Sequence, residues 1–424
     1  MRYLASRLAI VSSLLFLILW ILSSLMGTYA LAIGDYGLAA FLARPAWSTD
    51  LPLLGFLGLM IFGIAEHFVP LFAGRELERP SLATVQVMVA IVSVGIALGL
   101  PRLLIVGRLL WFGAAALFAG LLFETLRSGR IVPRPGVHRE GLLVIDRRAA
   151  SMTAAGTAYL LVASSGFVLA APGGRPLTPA LAPYGASFLH LYTLGFVALS
   201  LFGVLFHLLP RFLEVVPPAR WVTVLAALAI SAPAGVALTI PYASTDHPLR
   251  FLLVGFAAIE GMVAVLFALL LFGLWRKSAR RRPASLFFVL GGMWLVVGAG
   301  LGLYMGSSTG ATLRGTTTQS WLTVLGFAGF EIFGITHEIL LPYVGQGLRA
   351  WQVAARAHEG LATGGLLAVV TSSTLALAGF PRTSAVFAFV GFGLLLWMAL
   401  SYTAGTFQTL AAISPPGGIA RSGR

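Results

Sequence analysis

The chain has 424 residues, of which 58% are hydrophobic and 10% charged, and its mean hydropathy is +0.93. These values exclude an ordinary soluble domain and are typical of a polytopic membrane protein. The formal net charge is +14 and there is no cysteine, which excludes disulfides, thiolate chemistry, iron–sulfur ligation and covalently attached c-type haem.

Apolar segments long enough to cross a bilayer fill most of the chain. The first begins after Arg2 and Arg7 and is too long for a typical signal peptide, so it is interpreted as a retained helix. The sequence therefore predicts an all-α polytopic membrane protein with a single membrane domain. The twelve predicted spans lie at 8–33, 51–73, 82–100, 103–126, 150–173, 187–213, 220–241, 249–275, 285–306, 319–345, 361–380 and 383–409.

The basic residues are distributed as a membrane topology signal and do not indicate a nucleic-acid partner. With the N-terminus in the cytoplasm, the loops and tails on that side hold 21 of the 28 Lys and Arg residues. This asymmetry satisfies the positive-inside rule and predicts a cytoplasmic (inner) membrane protein with both termini in the cytoplasm. The lipid bilayer is the expected partner, and the basic cluster 276–282 is a candidate binder of anionic lipid.

The second, sixth and tenth spans share a motif. LGFLGLMIFGIAEHFVP (54–70) matches LGFVALSLFGVLFHLLP (194–210) at an offset of 140, and LGFAGFEIFGITHEILLP (325–342) follows at a further 131. The third copy slips by one residue after its second glycine, so His337 and Pro342 fall beside the matched positions. A motif on every fourth helix predicts three units of four helices, near 1–148, 149–283 and 284–424. This period argues against a two-halves transporter, which repeats every six helices.

The two glycines of each motif are eight residues apart, which places both on one flank of a helix. Small residues on such a flank let a neighbouring helix approach closely. His67 and His207 follow one turn after the second glycine, and we expect them to face the interior of the bundle.

Three arcs of four helices, with a motif on the second helix of each arc, resemble the catalytic subunit (subunit I) of the haem-copper oxidases. The C-type oxidases and the NnrS-like branch are the most similar. In the C-type enzymes the sixth helix begins with a copper-ligating His, followed by Gly-Phe, a second Gly, an aromatic residue or His, and Pro. That pattern is followed here by His190, Gly195, Phe196, Gly203, His207 and Pro210.

The resemblance implies a respiratory or nitric-oxide-related protein with a membrane or soluble redox partner, but most ligands are missing. The family takes a haem ligand from the start of helix two, where this chain has Thr-Asp at 49–50. It takes two more, as His-x-His, from the start of helix ten, where residues 319–321 are Gln-Ser-Trp. Its other copper ligands are adjacent histidines on helix seven, and 221–241 has none. Because only His190 remains, we expect neither copper nor a standard haem–copper centre.

Three histidines are candidate ligands of a relocated b-type haem: His67, His207 and His337. They come at equivalent depths near the cytoplasmic ends of the matched helices, and two imidazoles can hold one haem iron. The alternative is that each forms a hydrogen bond to a neighbour or to water. His190 and His207 do not share a metal, because 17 residues span about 25 Å of helix.

Near the outer surface, His190 is a weaker candidate for a metal ligand, with His247 across a loop as a second ligand. The alternative is a structural role without metal. The remaining histidines, His138 and His358, are assigned to cytoplasmic loops.

Charged residues within the apolar segments form the other informative class: Glu66, Glu260, Glu331, Glu338 and Arg108. A charge at a bilayer centre costs on the order of 3 kcal/mol, so such groups face the interior and are paired or protonated. One interpretation is a proton or ion path from the cytoplasm past Glu66 with His67, and His337 with Glu338, toward Glu331. The alternative is a set of internal ion pairs that lock helices together, with Arg108 as one partner.

The sequence leaves three functions open. The first is a diverged respiratory or nitric-oxide-related protein that binds one b-type haem. The second is a cofactor-free permease or ion-conducting protein, and the third is a structural subunit of a membrane complex. The sequence identifies no catalytic residue, substrate or electron donor.

Overall fold

The computed structural model describes residues 4–73, 75–128, 140–170, 177–243, 248–279, 282–307, 319, 321–340, 348–377 and 380–412. His138, His247, Pro342 and residues 280–281 of the basic cluster lie outside the described residues. The described part of the chain is helical and contains no β-strand.

The long helices account for most of the described residues. In chain order they are α1 (Leu4–Ile33), α2 (Ala46–Gly58 continued by Leu59–Ala73), α3 (Pro80–Gly99), α4 (Leu104–Ser128), α5 (Glu140–Leu169), α6 (Gly185–His190, Leu191–Ala198 and Leu199–Phe212), α7 (Ala219–Thr239), α8 (Arg250–Lys277), α9 (Leu286–Ser307), α10 (Leu322–Gly329, Phe330–Ile335 and Thr336–Leu340), α11 (Leu348–Leu377) and α12 (Pro381–Ala412).

Ten helical segments among the described residues are long and apolar enough to cross a membrane. They correspond to α1 to α9 and α12, and they confirm the prediction of a polytopic helical membrane protein. The described part of α10 carries Glu331, His337 and Glu338, and α10 and α11 are not among the ten. The number of twelve crossings stays a prediction.

Helix α11 begins at Leu348, well before the predicted span at 361–380. The interpretation of His358 as a loop residue was therefore wrong, because this residue lies within α11 and is only 5% exposed. The first turns of α11 contain Arg356, His358 and Glu359, so a search for apolar runs excludes them from the helix.

The three helices that carry the motif lie at the centre of the bundle. In α2 and α6, 89% and 72% of the most apolar stretch is buried, against 22–50% in the other spans. Residues 324–338 of α10 are buried throughout. The three helices contact one another along their motif segments, so the repeated sequence forms the core of the molecule.

The surrounding helices pack in the same order around each central helix. The preceding helix lies against it in all three cases, as α1 on α2, α5 on α6 and α9 on α10. The next two helices form a pair, as α3 with α4, α7 with α8 and α11 with α12. Contacts of α4 with α5, α8 with α9 and α12 with α1 join successive groups and close the ring.

Each central helix widens into π-helical turns at the same place in the motif. The widened stretches end at Gly58 in α2, cover Leu191–Ala198 in α6 and cover Leu322–Gly329 in α10. The last residues of the three stretches are separated by the sequence offsets of 140 and 131. A second π-helical stretch, Thr336–Leu340, occurs only in α10 among the described central helices, where the third motif slips by one residue. A π turn accommodates one extra residue, which matches the position of Pro342 in the sequence, one residue later than the offset of 131 predicts.

The motif glycines lie against the preceding helix, as the sequence predicts. A side chain at any of them would collide with a residue across the helix–helix contact, and glycine therefore permits the close approach. The first glycines pair as Gly55 with Phe16, Gly195 with Tyr159 and Gly326 with Trp294. The second glycines pair as Gly63 with Ala9, Gly203 with Thr153 and Gly334 with Phe288.

Candidate functional site

A buried ion pair lies at the N-terminal end of α2. Arg108 of α4 donates to both carboxylate oxygens of Asp50 at 3.2 Å, and to the carbonyl oxygen of Phe167 on α5 at 3.4 Å. The Arg108 and Asp50 side chains are 2% and 4% exposed. The sequence left two roles open for Arg108, one on an ion path and one in an internal ion pair. The contact with Asp50 is an internal ion pair. It connects α2, α4 and α5.

Stacked aromatic rings lie at the start of α10, where the oxidase resemblance implies haem-ligating histidines. The Trp321 ring lies 4.0 Å from the Trp20 ring of α1, with an angle of 8° between their planes. On another side, its centroid is 5.0 Å from that of Phe392 on α12. The indole of Trp321 is therefore held between two neighbouring helices.

A histidine–carboxylate pair lies near the N-terminal end of α6. His190 Nε2 is 2.7 Å from Glu260 Oε1 on α8, and the two side chains are 16% and 14% exposed. Glu260 was a path candidate and His190 a metal candidate, and the structure brings these two residues together. Among the described residues, no group of three or more His, Asp or Glu side chains is arranged to hold a metal ion.

These contacts test whether a haem–copper centre fits at the N-terminal ends of the central helices. Asp50 is bound to Arg108, Trp321 is stacked on Trp20, and His190 faces a carboxylate. Three of the places at which the resemblance implies ligands, on helices two, six and ten, are thus engaged in other contacts. The residues present do not fit that centre.

At the C-terminal end of α6, His207 belongs to a three-residue cluster. Its Nδ1 is 2.8 Å from Asp146 Oδ1 on α5, and Arg211 donates to both oxygens of Asp146 at 3.0 and 2.7 Å. Arg211 also donates to the carbonyl oxygen of His207. Asp146 and Arg211 are half-buried, and they fix the orientation of the imidazole.

At the C-terminal end of α10, His337 lies against a second histidine. Its Nε2 is 3.2 Å from Nδ1 of His358 on α11, and both side chains are buried. The Phe287 ring of α9 stacks on His337 with centroids 5.7 Å apart and planes 13° apart. The ring of Tyr402 on α12 is 5.5 Å from His337 and 5.8 Å from His358. Residues of four helices therefore meet around this pair.

The other residues at these helix ends have separate surroundings. Arg282, just before α9, donates to Glu338 at 3.3 Å. His67 of α2 is partly exposed, and its ring is in edge-to-face contact with Phe68. The three candidate haem ligands His67, His207 and His337 thus contact different residues.

Two carboxyl groups on the central helices are buried without a hydrogen-bond partner among the described residues. They are Glu66 on α2, which is 4% exposed, and Glu331 on α10, which is 0% exposed. The Glu331 carboxyl group lies against Gly291 of α9, where a Cβ atom would be 2.6 Å from Oε1. A carboxyl group without a partner is costly to ionise in such surroundings, so it is most stable as the neutral acid.

Aromatic side chains fill the space between each central helix and the fourth helix of its group. Phe62 lies 4.5 Å from Phe118 of α4, Phe202 lies 4.2 Å from Phe267 of α8, and Phe333 lies 4.8 Å from Tyr402 of α12. A cavity of about 10 Å³ remains between α2, α5 and α6 beside Thr153 and Ser200. That is about the space of one water molecule.

Sequence reasoning missed several residues of these clusters. Asp146 and His358 belong to polar stretches that were assigned to loops or helix ends. Gly291 and Phe287 resemble other apolar residues of α9, and only the fold brings them to Glu331 and His337. The acidic residue within the basic stretch 145–148 was the one local signal that could have identified Asp146.

No protein-family model matches the chain, and no curated protein matches it significantly. The relation to the haem-copper oxidases therefore stays an inference from the motif.

Proposed function

We propose that the chain is a twelve-helix membrane protein of three four-helix units on the scaffold of the haem-copper oxidase catalytic subunit. The units are those of the sequence repeat, near 1–148, 149–283 and 284–424. Three observations support them: the ring order of the helices, the π-helical turns at matched positions and the matched glycine contacts. The basic residues favour a cytoplasmic membrane with both termini in the cytoplasm.

Its proposed function is to conduct protons or another small cation through the interior of the bundle, without an oxygen-reducing centre. The observation that carries this proposal is Glu331, a fully buried carboxyl group without a partner at the middle of a central helix. Ionisable residues inside a membrane are costly and typically mark ion and proton pathways. Glu66 has the same character on α2.

The test is cation flux into liposomes that contain the purified full-length chain. A potassium gradient with valinomycin drives protons, and an enclosed pH-sensitive dye reports their passage. We expect flux above that of protein-free liposomes, reduced about tenfold or more in the double variant Glu66→Gln/Glu331→Gln because both exchangeable protons are lost. Glu260→Gln is the matched control, since this carboxyl group already has a partner in His190. Wild-type liposomes that conduct no faster than protein-free ones would overturn the proposal.

A second candidate function is b-type haem binding, and one contact favours it. Asp146 engages Nδ1 of His207, and such a carboxylate contact orients a histidine for ligation through Nε2. A haem held there would supply electron transfer, while Asp146 would hold the imidazole in place. Oxidised and reduced absorption spectra with a pyridine haemochrome assay test this candidate. A b-type spectrum lost in His207→Ala supports it, and a folded protein without a Soret band after haem supplementation excludes it.

A further inference from the structure

We infer that the conducted ion is the proton and that its path lies in the third unit, from the His337–His358 pair past the Phe287 ring to Glu331. The inference rests on the proposed function and makes it specific. It assigns an uptake pair, an apolar gate and an inner proton acceptor to three described clusters.

The uptake pair combines two imidazoles in hydrogen-bond contact. His337 Nε2 and His358 Nδ1 are 3.2 Å apart, so a proton can pass directly between the rings. Imidazole takes up a proton at one nitrogen and releases one from the other, which suits it to relay protons near neutral pH. On α11 the pair lies beside the charged residues Arg356 and Glu359, in the polar first part of that helix.

Charged and titratable side chains surround the His337–His358 pair. Arg282 and Glu338 form an ion pair beside it, and these two charges offset one another. The other titratable neighbours are Tyr402, whose ring faces both histidines, and the half-buried Glu359.

The gate is the Phe287 ring. It stacks on His337, and its centroid is 5.5 Å from that of Phe330 and 6.2 Å from that of Phe333 on α10. Phe330 and Phe333 flank Glu331 in the sequence, and Glu331 and His337 are about 9 Å apart along the helix. The three phenyl rings therefore form an apolar barrier beside the segment that joins the two polar groups, and such a barrier prevents a continuous water chain.

The acceptor is placed on the same face of α9 as the gate. Gly291 is one turn after Phe287, and its missing side chain provides the space that the Glu331 carboxyl group occupies. The two neighbouring positions of α9 thus serve different functions. Phe287 covers the histidine, and Gly291 accommodates the carboxyl group.

The matched positions in the other units lack this combination. Glu331 corresponds to Met60 in the first motif and to Ser200 in the second, at the offsets of 131 and 140. In the second unit, His207 is bound to Asp146. The path is therefore assigned to the third unit, and Glu66 is assigned no role in it.

The transfer steps balance as proton movements alone. A proton binds His358 at Nε2 as its Nδ1 proton passes to Nε2 of His337. Glu331 rests as the neutral acid and first releases its proton to water. When the Phe287 ring moves, water connects Nδ1 of His337 with Glu331, and the proton released from that nitrogen restores the acid. No bond between heavy atoms changes, and water is the one co-reactant.

The test compares single variants of the full-length chain in the same liposome flux assay, with folding checked by circular dichroism and gel filtration. We expect Glu331→Gln and His358→Gln each to reduce proton flux about tenfold or more, and Glu260→Gln and His67→Gln to leave it within about twofold. Phe287→Ala should increase flux several-fold, whereas Phe288→Ala, an equal truncation at the next residue, should not.

The outcomes separate the inference from the proposed function. If wild-type protein conducts and Glu66→Gln abolishes flux while Glu331→Gln does not, the third-unit path is wrong and the proposed function stands. If Phe287→Ala and Phe288→Ala increase flux equally, the leak comes from cavity formation and Phe287 is not the gate. If wild-type protein does not conduct, both proposals fail together.

Discussion

The N-terminal ends of the central helices and the middle of α10 use polar residues differently. At the N-terminal ends, Asp50 is paired with Arg108 and His190 with Glu260, while Trp321 is enclosed by aromatic rings. At the middle of α10, Glu331 is buried without a partner among the described residues. Paired charges lock helices and cannot easily exchange a proton, whereas an isolated carboxyl group can. The comparison supports a structural role for the N-terminal ends and the choice of Glu331 for the proposed proton path.

The largest loss of stability is expected from breaking the Asp50–Arg108 ion pair. Arg108→Ala leaves Asp50 buried without its partner and should lower the free energy of unfolding by about 3–5 kcal/mol. The measurement is denaturant unfolding in detergent, with the exposed Arg102→Ala as a control. The double variant Asp50→Leu/Arg108→Met should recover most of the loss, because it removes both charges together. A double variant as unstable as the single one would contradict a structural pair.

At Glu331, a substitution is expected to increase the free energy of unfolding. Glu331→Leu replaces an unpartnered buried carboxyl group with an apolar side chain and should stabilise the protein by about 1–3 kcal/mol. Glu260→Leu, the matched substitution at the N-terminal ends, should destabilise it because His190 loses its partner. Thermal unfolding of the two variants checks this contrast. If both substitutions shift the stability in the same direction, the distinction between Glu331 and the paired residues at the N-terminal ends is lost.

The fit of Glu331 against α9 gives a third prediction. Gly291→Ala should destabilise the wild-type chain by about 1–3 kcal/mol, because the added methyl group overpacks against the carboxyl group. In a Glu331→Ala background the same change should cost much less. A double-mutant cycle in the unfolding assay measures the difference. Equal costs in both backgrounds would show that the methyl group meets something other than Glu331.

The smallest effect is expected at the half-buried cluster on α6. Arg211→Ala should cost about 1 kcal/mol or less, because the Asp146 and Arg211 side chains are 27% and 30% exposed and are screened by solvent. The loss should shrink further at high salt. Unfolding at two salt concentrations measures it. A loss as large as that of Arg108→Ala, or one independent of salt, would count against a solvent-screened pair.

The sequence predicts the central helices well because their motif is local and repeated. The glycines that contact neighbouring helices follow from helical spacing, as Gly55 and Gly195 illustrate. The partners of the buried charges do not follow in this way. Asp50 and Arg108 are 58 residues apart on different helices, and only tertiary structure brings them together. His358 was missed because its helix begins with polar turns that an apolar-run analysis assigns to a loop.

The second π-helical stretch, Thr336–Leu340, contains a histidine that has changed its neighbour. His337 lies one residue before the position that the offset of 131 matches to His207. Side chains one residue apart on a helix point about 100° apart. His337 contacts α11, whereas His207 of α6 contacts α5. A shift of one position in the motif thus gives a side chain a new neighbour without a new helix or a new fold.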